Sequence, residues 1–244
     1  MLRSLYTAAS GMNHELNRQD AIANNLANIN TAGYKKDEMI GASFHAELYY
    51  AIERKSIQPI GFAPLGVETD EVFTYLTTGN ILMTENPLDV AIIGAGYFVV
   101  DNGVNQALTR NGHFTINAEG YLTTDNGELV LGENGPIRLE GPVEIGPDGT
   151  IRANNQVVDR LLVVMPPDET LLVKEGHTRF LYDGEWTRLE NAVLQQGALE
   201  SSNVNAIEEM TKMIAVTRAY ESNQKVIAVT DGIMNKIANE IGRL

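Results

Sequence analysis

The fold class turns on Leu88-Asp89-Val90-Ala91-Ile92-Ile93-Gly94-Ala95-Gly96-Tyr97-Phe98-Val99-Val100. Two short apolar runs separated by a glycine-rich turn read as strand, turn, strand. A dinucleotide-binding loop is the competing reading, and it fails in context. Its third glycine is absent, since Val99 stands there, and Phe98-Val99-Val100 continues as strand instead of opening a helix. Downstream, turn signals recur about every 6 to 8 residues, at Asn102-Gly103, Asn111-Gly112, Glu119-Gly120, Asn126-Gly127, Asn134-Gly135, Gly141-Pro142 and Asp148-Gly149. That rhythm predicts a meander or partial barrel of short antiparallel strands. Arg160–Met165 reads as a further buried strand. Arg179–Tyr182 and Glu185–Thr187 read as a hairpin around Asp183-Gly184. Upstream, Phe44, Leu48, Ala51 and Ile52 fit one short helix, and Gln58 to Gly66 a loop.

The two ends differ in kind from this middle. All eight prolines lie between Pro59 and Pro167, and 19 of the 22 glycines fall within residues 31–200. Residues 1–30 and 201–244 are each charge-balanced, so the middle carries the whole net charge of −14. Leu2, Leu5, Ala9, Met12, Leu16, Gln19, Ala23 and Leu26 alternate three and four apart, a heptad seam broken only by Gln19. The helix they predict is roughly 40 Å long. It should stop near Asn28–Gly33, with Gly33 left-handed. At the other end, Asn205 with Glu208 resembles a capping box. Ile207, Met210, Ile214 and Thr217 follow on one face, and Met213, Tyr220, Ile227, Met234 and Ile241 on an adjoining one. Two helices of similar length, each with one apolar side, should pack on each other. The class is α+β, with coiled-coil-like paired terminal helices flanking a central, mainly-β domain. The expected division is 1–30 plus 201–244 as the helical part, 31–87 as a linking segment, and 88–200 as the β-rich part.

Composition narrows the function. The chain has 244 residues, with 18 Lys+Arg against 32 Asp+Glu and no basic run longer than two, so a nucleic-acid partner is not expected. No cysteine is present, which removes thiol chemistry and cysteine metal sites. No run of 18 apolar residues suits a membrane-spanning helix, so no membrane insertion is expected. Arg3 and Leu5–Met12 mimic a signal peptide, but Thr7, Ser10 and Gly11 break the run and its spacing continues to Leu26, so it reads as retained. His14, His45, His113 and His177 show no metal-ligand spacing and read as surface or packing residues. Asp89, between apolar neighbours, reads as a backbone-bonding group. Catalytic, cofactor and metal residues are therefore not assigned. What stands out is Ala23-Asn24-Asn25-Leu26-Ala27-Asn28, three amides at a helix end. They either terminate the helix or face other chains; the second reading makes Asn25→Ala neutral for the monomer and damaging for assembly.

At these residues the chain resembles a family. Asn24-Asn25-Leu26-Ala27-Asn28-Ile29-Asn30-Thr31-Ala32-Gly33-Tyr34-Lys35 and the opening Leu2–Met12 are similar to the amino-terminal signature of bacterial flagellar rod and hook axial proteins. So are Leu199–Asn205, Glu209-Met210, Met213-Ile214, Arg218–Glu221 and Lys225–Ile227. Thr78-Gly79-Asn80, Asn86–Ile92 and Thr109–Phe114 are similar to the rod-protein body. Gly132–Ile137 and Asn203–Asn205 lean toward the proximal-rod member, while the opening suits the distal-rod member equally. The resemblance implies a non-enzymatic subunit of the basal body in the cell envelope, exported by the flagellar type III apparatus without a cleaved signal. It implies terminal helices that polymerise helically around a channel, with copies of the same chain and with other axial proteins. The assembly residues it points to are Leu5, Met12, Leu16, Asn24, Asn25, Leu26, Asn28, Asn203, Asn205, Met210, Met213, Ile214, Arg218, Tyr220, Glu221, Lys225 and Ile227. A secreted β-rich binding module on a helical oligomerisation stalk is the competing class; it predicts an exposed aromatic patch or pocket and dispensable helices.

Overall fold

The computed structural model describes residues 2–53 and 56–241, so the basic pair Arg54-Lys55 lies outside the described residues. The chain forms two compact units: one from the start to Ala27, Asp37–Tyr75 and Asn205 onward, the other from Asn28–Lys36 and Leu76–Val204. Terminal helices and a central set of short antiparallel strands make the class α+β.

In the first unit, helix α1 (Leu2–Ala27) and the carboxy-terminal helix α2 (Ala206–Ile241) pack along each other. They are not of similar length, at 26 and 36 residues. The seam of α1 also differs from the expected one. Leu5, Met12, Gln19 and Leu26 are half-buried as the spacing requires, but their companions are Ala8, Glu15 and Ile22, while Ala9, Leu16 and Ala23 are exposed. A heptad row has neighbours both three and four residues on, and apolarity alone favours the second set. The structure uses the first because α1 packs against a β-hairpin as well as against α2. Glu15 is tolerated there through its ion pair with Arg18 at 3.0 Å. On α2 the inward row is Glu209, Met213, Val216, Tyr220, Asn223, Ile227, Thr230 and Met234, so the second of its two apolar faces is the covered one.

That hairpin corrects the reading of residues 38–66. The segment forms two long strands, β1 (Asp37–Glu53) and β2 (Ser56–Thr74), paired antiparallel from Asp37↔Thr74 to Glu53↔Ser56. Neither the short helix nor the loop exists. Pro59, Gly61, Pro64 and Gly66 bar the second half from a helix, and a two-stranded ladder has free edges that accept proline. Pairing then recruits the first half as strand, against its local spacing. Gly41 and Gly66 let the hairpin approach α1: a Cβ there would stand 2.6 Å from His14 and 2.5 Å from the Ser10 hydroxyl.

The second unit bears out the strand–turn–strand reading. β3 (Ile81–Met83) is followed by β4 (Val90–Ile93) and β5 (Tyr97–Asp101), with Gly94 and Gly96 at φ 102° and 124° in the turn. β5 pairs with β6 (Gln106–Thr109), with Leu129–Gly132 and with Val163–Met165 inside a ten-stranded sheet. Its alternate residues feed two cores: Phe98 and Val100 meet Phe114, Leu122 and Val130, while Tyr97 and Val99 meet Leu108, Val164 and Phe180. The hairpin expected around Asp183-Gly184 is absent. Arg179–Leu181 pairs with Val173–Glu175 and β6, and Thr187–Arg188 with Val163–Met165. A two-residue hairpin turn needs positive φ, which Gly176 supplies and Asp183-Gly184 does not.

Candidate assembly site

Helix α1 ends where expected, and the Asn28–Lys36 segment then enters the β-rich unit. The Thr31 amide and hydroxyl bond to the Asn28 carbonyl and side-chain oxygens at 3.1 Å each. Gly33 is left-handed at φ 68°, and its N–H donates to the Glu200 carbonyl at 2.8 Å. This seats Lys35 in the interior, where burial lowers its pKa and Glu200 works against that shift. The Lys35 ammonium donates to Glu200 Oε1 at 2.6 Å and to the Thr77 carbonyl at 2.7 Å. Gly79 N–H donates to the same carboxylate oxygen at 2.9 Å, and Arg110 reaches Glu200 Oε2 at 3.3 Å. Lys35, Arg110 and Glu200 are all buried. The Arg110 guanidinium also donates to the Gly94 carbonyl and lies 5.1 Å from the centre of the Tyr97 ring. Burial, and then Glu169, raise the Tyr97 phenol. Asn203 ties the rim: its carbonyl accepts from Lys36 N–H at 2.8 Å, and its amide donates to Thr77.

Asn25 does the corresponding work in the helical unit. Fully buried, it pairs with Asp37 as a neighbouring strand would, donating to the Asp37 carbonyl at 2.8 Å and accepting from its N–H at 3.0 Å. The same amide donates to Glu209 of α2 at 3.1 Å. Nearby, Lys212 bridges Glu38, Glu208 and Glu209. Asn25 is thus neither a simple helix cap nor a residue whose polar atoms await another chain. Its replacement cannot leave the monomer unchanged, because three bonds of a buried amide are lost. Asn25→Ala should lower stability by about 1–3 kcal/mol, read as a lower melting temperature by circular dichroism. An unchanged melt would restore the neutral expectation.

The remaining candidates divide by exposure. Asn205 caps α2 as predicted, accepting from Ile207 N–H at 3.0 Å and Glu208 N–H at 3.4 Å. Asn28 is buried; Leu5, Met12, Leu26, Met213, Tyr220 and Ile227 are half-buried. Leu16, Asn24, Met210, Ile214, Arg218, Glu221 and Lys225 are exposed, and Ile207, Val229 and Ile233 extend the exposed apolar row on α2. Sequence reading passed over Glu200, Lys35 and Arg110 as a set. The available signal was the alternation Ala198, Glu200, Ser202, which puts the carboxylate on the inward side of a short strand. Asp89 is bonded by Thr84, Asn86 and His113 side chains, the last at 2.7 Å, and not mainly by backbone.

Three family models match: "Flagella basal body rod protein" at residues 5–35, "Flagellar hook protein FlgE/F/G D1 domain" at 91–153, and "Flagellar basal body rod FlgEFG protein C-terminal" at 195–240. The flagellar basal-body rod protein FlgF of Caulobacter vibrioides is 31% identical over 250 residues, covering 100% of both chains. The chain belongs to the flagellar basal-body rod protein family. The rod protein FlgG of Bacillus subtilis is 31% identical, covering 98% of this chain and 99% of its own. FlgG of Agrobacterium fabrum is 33% identical, covering 98% and 100%. Relatives of both names match almost equally, so membership stands at the level of rod proteins as a group. As a family member the chain is a structural subunit of the flagellar basal-body rod, one component among the axial proteins of that structure. No helix among the described residues is long and apolar enough to cross a membrane. The buried cluster of this rod protein takes one charge from each matched stretch: Lys35, Arg110 and Glu200.

Proposed function

We propose that this rod subunit polymerises helically through its terminal helices, with copies of itself and with neighbouring axial proteins, around a channel used for export. Its role in the envelope is mechanical and not catalytic, and it reaches that place through the flagellar export apparatus without a cleaved signal. The observation that carries the reading is the pair of apolar rows left exposed by the helix pairing. Ala9, Leu16 and Ala23 lie on α1, and Ile207, Met210, Ile214, Val229 and Ile233 on α2. Ala9, Leu16 and Ala23 recur every seven residues, while Ile207, Met210 and Ile214, and again Val229 and Ile233, stand three or four apart; exposed apolar sets of that kind mark an interaction face. The acidic body, which holds the net charge, keeps free subunits apart until the helices meet.

The test is a charge on the exposed row. Ile214→Asp should change monomer stability by no more than about 0.5 kcal/mol, because the position is exposed and makes no core contact. In an assembled tube the same carboxylate would be buried without a partner. Cells carrying the variant should therefore export a folded protein yet build no rod visible by electron microscopy and fail to swim. Normal rods with Ile214→Asp would overturn the proposal.

A further inference from the structure

The β-rich unit has one face that its own fold leaves unfinished. β3 hydrogen-bonds only to Ala198–Glu200, so among the described residues its other edge is unpaired. Edge strands are normally protected by charge, proline or a covering loop. Ile81, Leu82 and Met83 supply neither charge nor proline, and Leu82 and Met83 are 57% and 64% exposed. A second ladder continues the surface. Ile93 and Val193 stand directly opposite each other, both nearly half exposed. Gln195 lies on the same side two residues along, and its amide touches the Met83 sulfur at 3.1 Å, joining the two ladders.

Charge selects what covers this face. Residues 28–36 and 76–204 carry 9 Lys+Arg against 18 Asp+Glu, yet 76–84, 90–100 and 191–199 carry none of either. A basic partner would be drawn to the acidic remainder of the unit. A partner of the same sign is repelled there and can close only on neutral surface. We propose that the face formed by Ile81–Met83, Ile93 and Val193 seats a second copy of this chain in the assembled rod, with β3 offering its free edge. The proposal rests on the reading of the chain as a polymerising rod subunit, and adds a contact made by the β-rich unit to those made by the helices.

Two measurements on the full chain, expressed in cells lacking their own copy, test it. The first places p-benzoylphenylalanine at Met83 and irradiates isolated basal bodies. An adduct of twice the chain mass, containing only this protein, is expected. No adduct, or one solely with a different axial protein, overturns the proposal. The second is the double variant Met83→Glu, Val193→Glu, with Val104→Glu as control, since Val104 is 84% exposed on a loop. Unpaired carboxylates buried at every contact should cut rod incorporation roughly tenfold or more, with monomer melting unchanged and the control swimming normally. Wild-type incorporation of the double variant overturns the proposal. Ile214→Asp separates the two levels: if it blocks assembly while the double variant does not, only the β-face contact fails. If neither blocks assembly, the polymerisation reading fails with it.

Discussion

Glu200→Ala should destabilise the protein by about 3–5 kcal/mol, the usual consequence of removing one partner from a buried ion pair. Among the described residues the Glu200 carboxylate is the anion that pairs with both the Lys35 ammonium and the Arg110 guanidinium, at 2.6 and 3.3 Å, and it also accepts from Gly79 N–H. Without it, two cations remain in the interior facing each other. Lys35 then has every reason to lose its proton, since burial already lowers its pKa. Lys35→Met should cost less, because Arg110 and Glu200 still neutralise each other and the methionine fills most of the lysine's volume. Urea unfolding followed by Trp186 fluorescence measures both, since Trp186 packs against the second core of the same unit. Equal losses for the two variants would mean that packing, and not uncompensated charge, sets the cost.

Gly112→Ala is the other large effect, expected at about 3 kcal/mol or more, beyond the ordinary range for overpacking. Gly112 has no unusual backbone angle, so its requirement is purely spatial. A Cβ would lie 1.7 Å from the Val90 carbonyl oxygen, the residue whose N–H donates to the Gly112 carbonyl at 3.0 Å. The obstacle is backbone at the head of β4, which cannot yield as a side-chain tip would. Gly79→Ala meets the same obstacle, 1.9 Å from the Ser201 carbonyl. By contrast, a Cβ at Gly127 would meet nothing within 4 Å, so Gly127→Ala should cost only the strain of its positive φ, 81°. Midpoints in urea should therefore fall much further for Gly112→Ala and Gly79→Ala than for Gly127→Ala. A Gly112→Ala variant as stable as the parent would show that β4 and the Thr109–Phe114 segment can separate without penalty.

Local chemistry was enough for much of this protein. Heptad-like spacing and the Asn205 cap defined the terminal helices, and glycine-marked turns defined the strands from Val90 to Ala153, though not the pairing around Asp183-Gly184. These features depend on residues a few positions apart, so they are legible without partners. The motif residues also carried the family, because their order along the chain is itself sequence. Tertiary structure decided what local spacing leaves open. A heptad row admits two companion rows, and only the hairpin lying on α1 selected Ala8, Glu15 and Ile22 over Ala9, Leu16 and Ala23. Residues 37–53 became strand because 56–74 could not be helix and needed a partner. Asn25 and Glu209 are 184 positions apart, and Lys35 and Glu200 are 165 apart. Such charges and amides look like ordinary surface groups until the fold withdraws them from water. Burial is a property of the packed chain, and it turns those residues from solvated side chains into ties whose loss the fold cannot absorb.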